Sequence, residues 1–422
     1  MSLQREEKQY TSKERKWRPS FLIPGLFAAL LAASALLLPL LLGPTQIQPA
    51  QARVGRDRDV STEVGTAAFL SSGQVDQGLT QGYNDLLTLN FHSLPTPPAG
   101  LTYYAWLMPD PADDVTPPLL LGILHPEQTK QVTLTYASPS HTNLLASYSG
   151  VRITEQPGGT PPSLPSQDPA TWRWQGWIPN IPTPGDENHY SLLSHLRHLL
   201  AKDPTLEANN LPGGLALWLT RNVTKVEEWV SAAQGSWQGA QTSPEEADFL
   251  HRQMVSILEY LDGQSYAWLD LPAGSPWLVD QAGGKIGLID RVQNQTPPAY
   301  LEHVDLHLEG LANAPGHTAT QQQLALLVDR VTTRMEADLQ QVRTDARALV
   351  KMNATQLRQA GNLALLDEMA RLSLEVTSGW FDPQTGENIG GVLWIMERLQ
   401  QLATIPITSV QQSEKSNPDE RP

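Results

Sequence analysis

Three patterns of apolar and polar positions follow one another along the chain. Residues 21–43 form one uncharged run, Phe21 to Gly43. At roughly 20 apolar residues such a run is long enough to cross a ~30 Å hydrocarbon core as a helix. Arg5, Lys8, Lys13, Arg15, Lys16 and Arg18 precede it, a basic flank that predicts residues 1–20 in the cytoplasm and the rest of the chain outside. The rival reading is a cleavable signal peptide, because Ala50-Gln51-Ala52 has the small-x-small pattern of a cleavage site. Signal cores are only about 7 to 15 residues long, so the length favours an uncleaved anchor followed by a juxtamembrane linker over 44–59.

From 60 to about 178 the chain alternates with period two. Leu87-Thr88-Leu89-Asn90-Phe91, Tyr104-Ala105-Trp106-Leu107, Val132-Thr133-Leu134-Thr135-Tyr136 and Val151-Arg152-Ile153-Thr154 are short β-type runs broken by Gly and Pro. They predict an antiparallel β-sandwich. Prolines 157, 161, 162, 165, 169, 179, 182 and 184 then predict a stiff, extended connector ending over 179–187.

Beyond 188 the period becomes 3.6. Leu324, Leu327, Val331, Met335, Leu339, Val342, Ala346 and Leu349 line one face of a helix of roughly 30 residues. Further helices are expected at 188–202, 211–233, 244–262, 298–313, 354–377 and 388–404, with Ser243-Pro244-Glu245-Glu246 a capped start. The stretch 279–289 predicts a β-hairpin. The fold class is therefore multi-domain: a single transmembrane helix, an antiparallel β-sandwich over 60–178, an α-helical bundle with a β-hairpin insertion over 188–405, and a disordered tail over 406–422.

Composition narrows the function. There is no cysteine, which removes disulfides and thiolate metal sites. Residues 1–58 hold nine Lys/Arg and four Asp/Glu, while the remainder holds twenty and forty. A strongly acidic outer part repels nucleic acid.

Some residues of the alternating region carry a resemblance. Tyr103-x-x-Trp106-Leu107, Leu121-Gly122 and Val151-x-x-Thr154-Glu155-Gln156-Pro157-Gly158-Gly159, followed by Pro161-Pro162, resemble the extracytoplasmic β-sandwich domain of anti-sigma-K-type factors over about residues 62–178. The resemblance implies a shared outer module. It does not extend to the regulatory activity, because residues 1–20 are too few to bury a sigma-binding core.

Two constellations are candidates for chemistry. His195 and His198 are spaced i,i+3, and His303 and His307 i,i+4; with His251 these are candidate metal ligands, since such spacings put two side chains on one helical face. Helical-wheel positions set His198 and His303 well away from the leucine stripes of their helices, on solvated or flanking faces, and a bundle metal site needs ligands projecting inward. Trp172, Trp174 and Trp177 are candidate ligand-binding aromatics for a glycan, with core packing as the rival use. No nucleophile elbow, His-Glu-x-x-His or phosphate loop is present. The expectation is a membrane-anchored, extracytoplasmic binding or sensing protein of the bacterial envelope, non-catalytic and without cofactor, whose partner is an envelope protein or glycan. A metal- or glycan-dependent envelope enzyme is the alternative.

Overall fold

The computed structural model describes residues 63–73, 80–92, 94–126, 131–383 and 386–410. Among them, no helix is long and apolar enough to cross a membrane. This corrects the expected single-pass architecture, and with it the membrane partner and the cell-membrane location; the run 21–43 on which they rested lies outside the described residues, as do 1–20 and 44–59.

Strands β1 (Glu63–Leu70), β2 (Leu86–Phe91), β3 (Leu101–Pro109), β4 (Leu119–Leu124), β5 (Val132–Ala137), β6 (Tyr148–Pro157), β7 (Trp172–Trp177), β8 (Trp380–Asp382), β9 (Glu387–Ile389) and β10 (Thr404–Ser409) are interleaved with nine α-helices among the described residues. These are α1 (Leu192–Leu200), α2 (Pro204–Ala208), α3 (Leu215–Ala240), α4 (Pro244–Asp262), α5 (Tyr300–Asn313), α6 (Ala319–Val350), α7 (Ala354–Leu357), α8 (Asn362–Ser378) and α9 (Gly391–Leu402). The alternating runs fold as strands where expected, but not into a two-sheet sandwich. They form one antiparallel eight-stranded sheet of order β4-β3-β6-β7-β10-β1-β2-β5. Its two ends curl together, β4 against β5. Gly122 of β4 permits this approach, since a Cβ there would lie 3.3 Å from Leu134 Cδ1.

The last described strand closes the sheet. β10 pairs with β1 along its length and with β7 through Thr408↔Gln175 and Ser409↔Trp174. Ile405 and Ile407 alternate into the core, while Pro406 lies where the β7 ladder is absent, a position that tolerates the missing N–H. The expected boundary at 405 thus cuts a strand, and the described residues between 63 and 410 belong to one compact unit. One continuous core runs from Phe69, Leu89 and Ile153 of the sheet to Leu196, Leu258 and Leu339 of the helices.

The helical pattern holds well. Ser243 caps α4 with Pro244 at its first position, and α6 begins with a capping box between Thr318 and Gln321. The buried face of α6 follows the expected stripe from Val331 onward, but at its start it passes through Ala325 and Val328, leaving Leu327 exposed. The expected hairpin over 279–289 is absent. Its backbone bonds outward: Leu288 N–H to Tyr260 O and Ile289 N–H to Leu261 O, while Gly287 O and Leu288 O accept from Tyr300 and Leu301. The loop thereby ties α4 to the start of α5, and the hairpin among the helices is β8–β9 instead.

Candidate metal centre

Helix α1 carries two of the candidate ligands, and the sheet fixes its position. Arg197 forms a bidentate pair with Asp110 at 2.6 and 2.7 Å and donates through Nε to Leu145 O at 2.9 Å. Asn84 and Asn143 both donate to Leu200 O at 2.9 Å, satisfying a carbonyl at the end of α1. Directly beyond, Asp203 accepts from Leu206 N–H at 3.0 Å as the N-cap of α2, with Pro204 at the first helical position. The cap leaves the second carboxylate oxygen pointing back toward α1 and α5.

Three imidazole nitrogens face that oxygen. His307 Nε2 lies 3.5 Å from Asp203 Oδ2, His303 Nε2 3.6 Å and His198 Nδ1 3.9 Å. The spacings read from sequence create the convergence: α1 packs on α5, so the i,i+3 pair of one meets the i,i+4 pair of the other. His303 and His307 stack with ring centroids 5.0 Å apart, and His198 meets His307 edge-on at 4.8 Å. His195 completes the group, its Nδ1 3.0 Å from His307 Nδ1. Tyr190 covers the cluster, its ring edge-on to His198 at 4.7 Å.

All four histidines and Asp203 are buried, Asp203 to 1% exposure. This overturns the solvated placement drawn from the helical wheel. Burial, then the neighbouring His307, pushes His195 down to about 4. It does the same to His198, against the raising effect of Asp203. His303 is likewise pushed down to about 4 by burial, which Asp203 only partly opposes. Asp203 is held below the usual carboxylate value: burial pushes it up, but His307, His303 and the Leu206 N–H more than offset that. The contacts of His198 and His303 with Asp203 are therefore not ion pairs near neutrality. They join neutral imidazoles to a carboxylate, the protonation state in which both kinds of side chain bind metal.

One donor atom from each of His198, Asp203 and His307 lies within 4.8 Å of the other two. His198 Nδ1 and His307 Nε2 are buried without a hydrogen-bond partner. Ligands about 2.0 to 2.1 Å from a tetrahedral cation stand about 3.4 Å apart. The distances from Asp203 Oδ2, 3.5 Å to His307 and 3.9 Å to His198, are near that value, while the three donor atoms, within 4.8 Å of one another, must draw together around an ion. Imidazole with one carboxylate suits zinc, iron, nickel or copper better than the oxygen-seeking magnesium or calcium. A cleft of about 400 Å³, lined by Asn180, Ser194, Arg197, His198, Lys202 and Glu207, reaches the cluster at His198.

The remaining candidates fall elsewhere. His251 donates to or accepts from nothing in this cluster; its Nε2 is 2.7 Å from Val350 O. The three tryptophans do not share a surface. Trp174 is in the main core, edge-on to Tyr103 at 5.0 Å, Trp177 packs with Tyr104, Trp106 and Met108, and Trp172 lies under the Arg152 guanidinium at 3.6 Å. A register shift opposite β7, between Ile153 and Thr154, breaks the alternation that would put Trp172 and Trp174 on one face. Sequence reasoning missed Asp203, whose signal was Asp-Pro at the start of a short helix, and Tyr190, which carried none.

No family model, curated protein or solved structure matches the chain. In the residues that suggested an anti-sigma-K-type domain, Trp106 of β3 donates through Nε1 to Thr154 of β6 at 2.9 Å, so the two short motifs meet across one strand pair.

Proposed function

We propose that this protein binds a divalent first-row transition-metal ion through His198, Asp203 and His307, with His303 flanking Asp203 as a further donor. The observation that carries the reading is the convergence of buried, partnerless imidazole nitrogens on one buried carboxylate oxygen. Placing unsatisfied polar groups together in a core costs about 1 to 3 kcal/mol each, and a cation at their centre removes that cost. Two histidines and one carboxylate leave coordination positions for a further ligand.

Titration of the metal-free protein with Co²⁺ tests this. One equivalent should bind with a visible absorption band, Zn²⁺ should displace it, and Mg²⁺ and Ca²⁺ should not. At free metal one hundred times Kd, binding should stabilise the fold by about 2.7 kcal/mol. Asp203→Asn and His307→Ala should abolish the band while His251→Gln leaves it unchanged. Equal binding by all three variants would remove the assignment.

A further inference from the structure

We propose that His195 is a positioning residue for this metal site: it accepts the Nδ1 proton of His307 and so fixes that ring with its Nε2 lone pair toward the metal position. The inference rests on the metal-binding reading. The two Nδ1 atoms are 3.0 Å apart and buried, and a hydrogen bond between them requires one proton, not two. If His307 carries it, its Nε2 is bare, and that is the atom left without a partner 3.5 Å from Asp203 Oδ2. His195 is not among the three residues whose donor atoms converge, so its nitrogen faces a ligand rather than the metal. Outer partners of this kind hold a metal-bound imidazole in tautomer and orientation.

The neighbouring helix is shaped for it. Gly310, one turn beyond His307 on α5, lies under the His195 ring, and a Cβ there would come within 2.2 Å of Cε1 and 2.4 Å of Nε2. A glycine in a helix interior is less favourable than alanine. Here it provides the space in which His195 reaches His307.

Co²⁺ affinity of the full chain, with folding checked by circular dichroism, separates the possibilities. His195→Leu should weaken binding 10- to 100-fold, the range for lost outer partners, and should alter the Co²⁺ absorption. His195→Asn should restore binding to within about threefold, because its amide oxygen occupies the place of the Nδ1 acceptor. Gly310→Ala should behave like His195→Leu and provides the same test should the leucine variant misfold. Unchanged affinity in His195→Leu and Gly310→Ala, with binding still lost in Asp203→Asn, would overturn the role of His195 and leave the metal site standing. Failure of the unaltered protein to take up Co²⁺ would overturn both.

Discussion

At the scale of single residues, burial decides what each ionisable group does. Asp262 and Asp270 have side chains wholly removed from solvent and face Arg291, Arg343 and Arg347. Burial, reinforced by the charge of Asp270, pushes Asp262 from an ordinary 3.8 up to about 7, against the opposing Arg343 and Arg291. The folded protein therefore holds a proton that the unfolded chain releases near pH 4. Stability from this group is present below about pH 4 and is lost as pH rises toward 7, with a slope of at most about 1.4 kcal/mol per pH unit. Asp262→Asn should flatten that part of the profile, measured as urea midpoints between pH 4.5 and 7.5; an unchanged slope would place its origin elsewhere. Apolar positions on α6 divide just as sharply. Leu339 is fully buried while Leu327 is 38% exposed, so Leu339→Ala should cost about 2 to 5 kcal/mol and Leu327→Ala under about 1, compared by denaturant unfolding. The leucine spacing alone ranked them as equals. The histidines were misjudged for a related reason. A wheel places His198 roughly 160° from its leucine stripe, which is correct for α1 alone, but α1 is covered on two sides, by the core and by α5, Asp203 and Tyr190.

At the scale of elements, what was legible depended on length and regularity. α4 and α6 have strong caps and long apolar faces, and both appear within a few residues of expectation. β10 escaped because six residues with a central proline following a helix read as tail; only pairing partners distant in sequence make it a strand. The same dependence on partners governs α1, whose place over the site is set by Arg197 and Asp110. Both are largely buried, at 19% and 22% side-chain exposure, so Asp110→Ala should leave a guanidinium short of partners and cost about 1 to 3 kcal/mol. It should also weaken Co²⁺ binding, although Asp110 touches no proposed ligand, because His198 moves with α1. Calorimetry and cobalt titration of this variant test the coupling, and full affinity with lowered stability would confine Asp110 to a packing role.

At the scale of the whole molecule, the last described strand returns to the first. β10 lies between β7 and β1, and just before it Gln321 of α6 donates to Leu402 O at 2.7 Å. The helices therefore fold between the seventh strand and the strand that completes the sheet. Sheet formation must bring together Thr66 and Pro406, a loop closure over nearly the whole described chain, whose entropy is recovered only once the helical core is packed. A chain ending at Ala403 should lose more than one strand. It bares the β1 and β7 edges and removes Ile405 and Ile407 from the shared core. Hydrogen exchange should then show α1 and α5 unprotected along with the sheet, and cobalt binding should disappear with them. Helices that stayed protected and held cobalt without β10 would mean that residues 188–402 fold by themselves, and that the continuous core joins two units rather than making one.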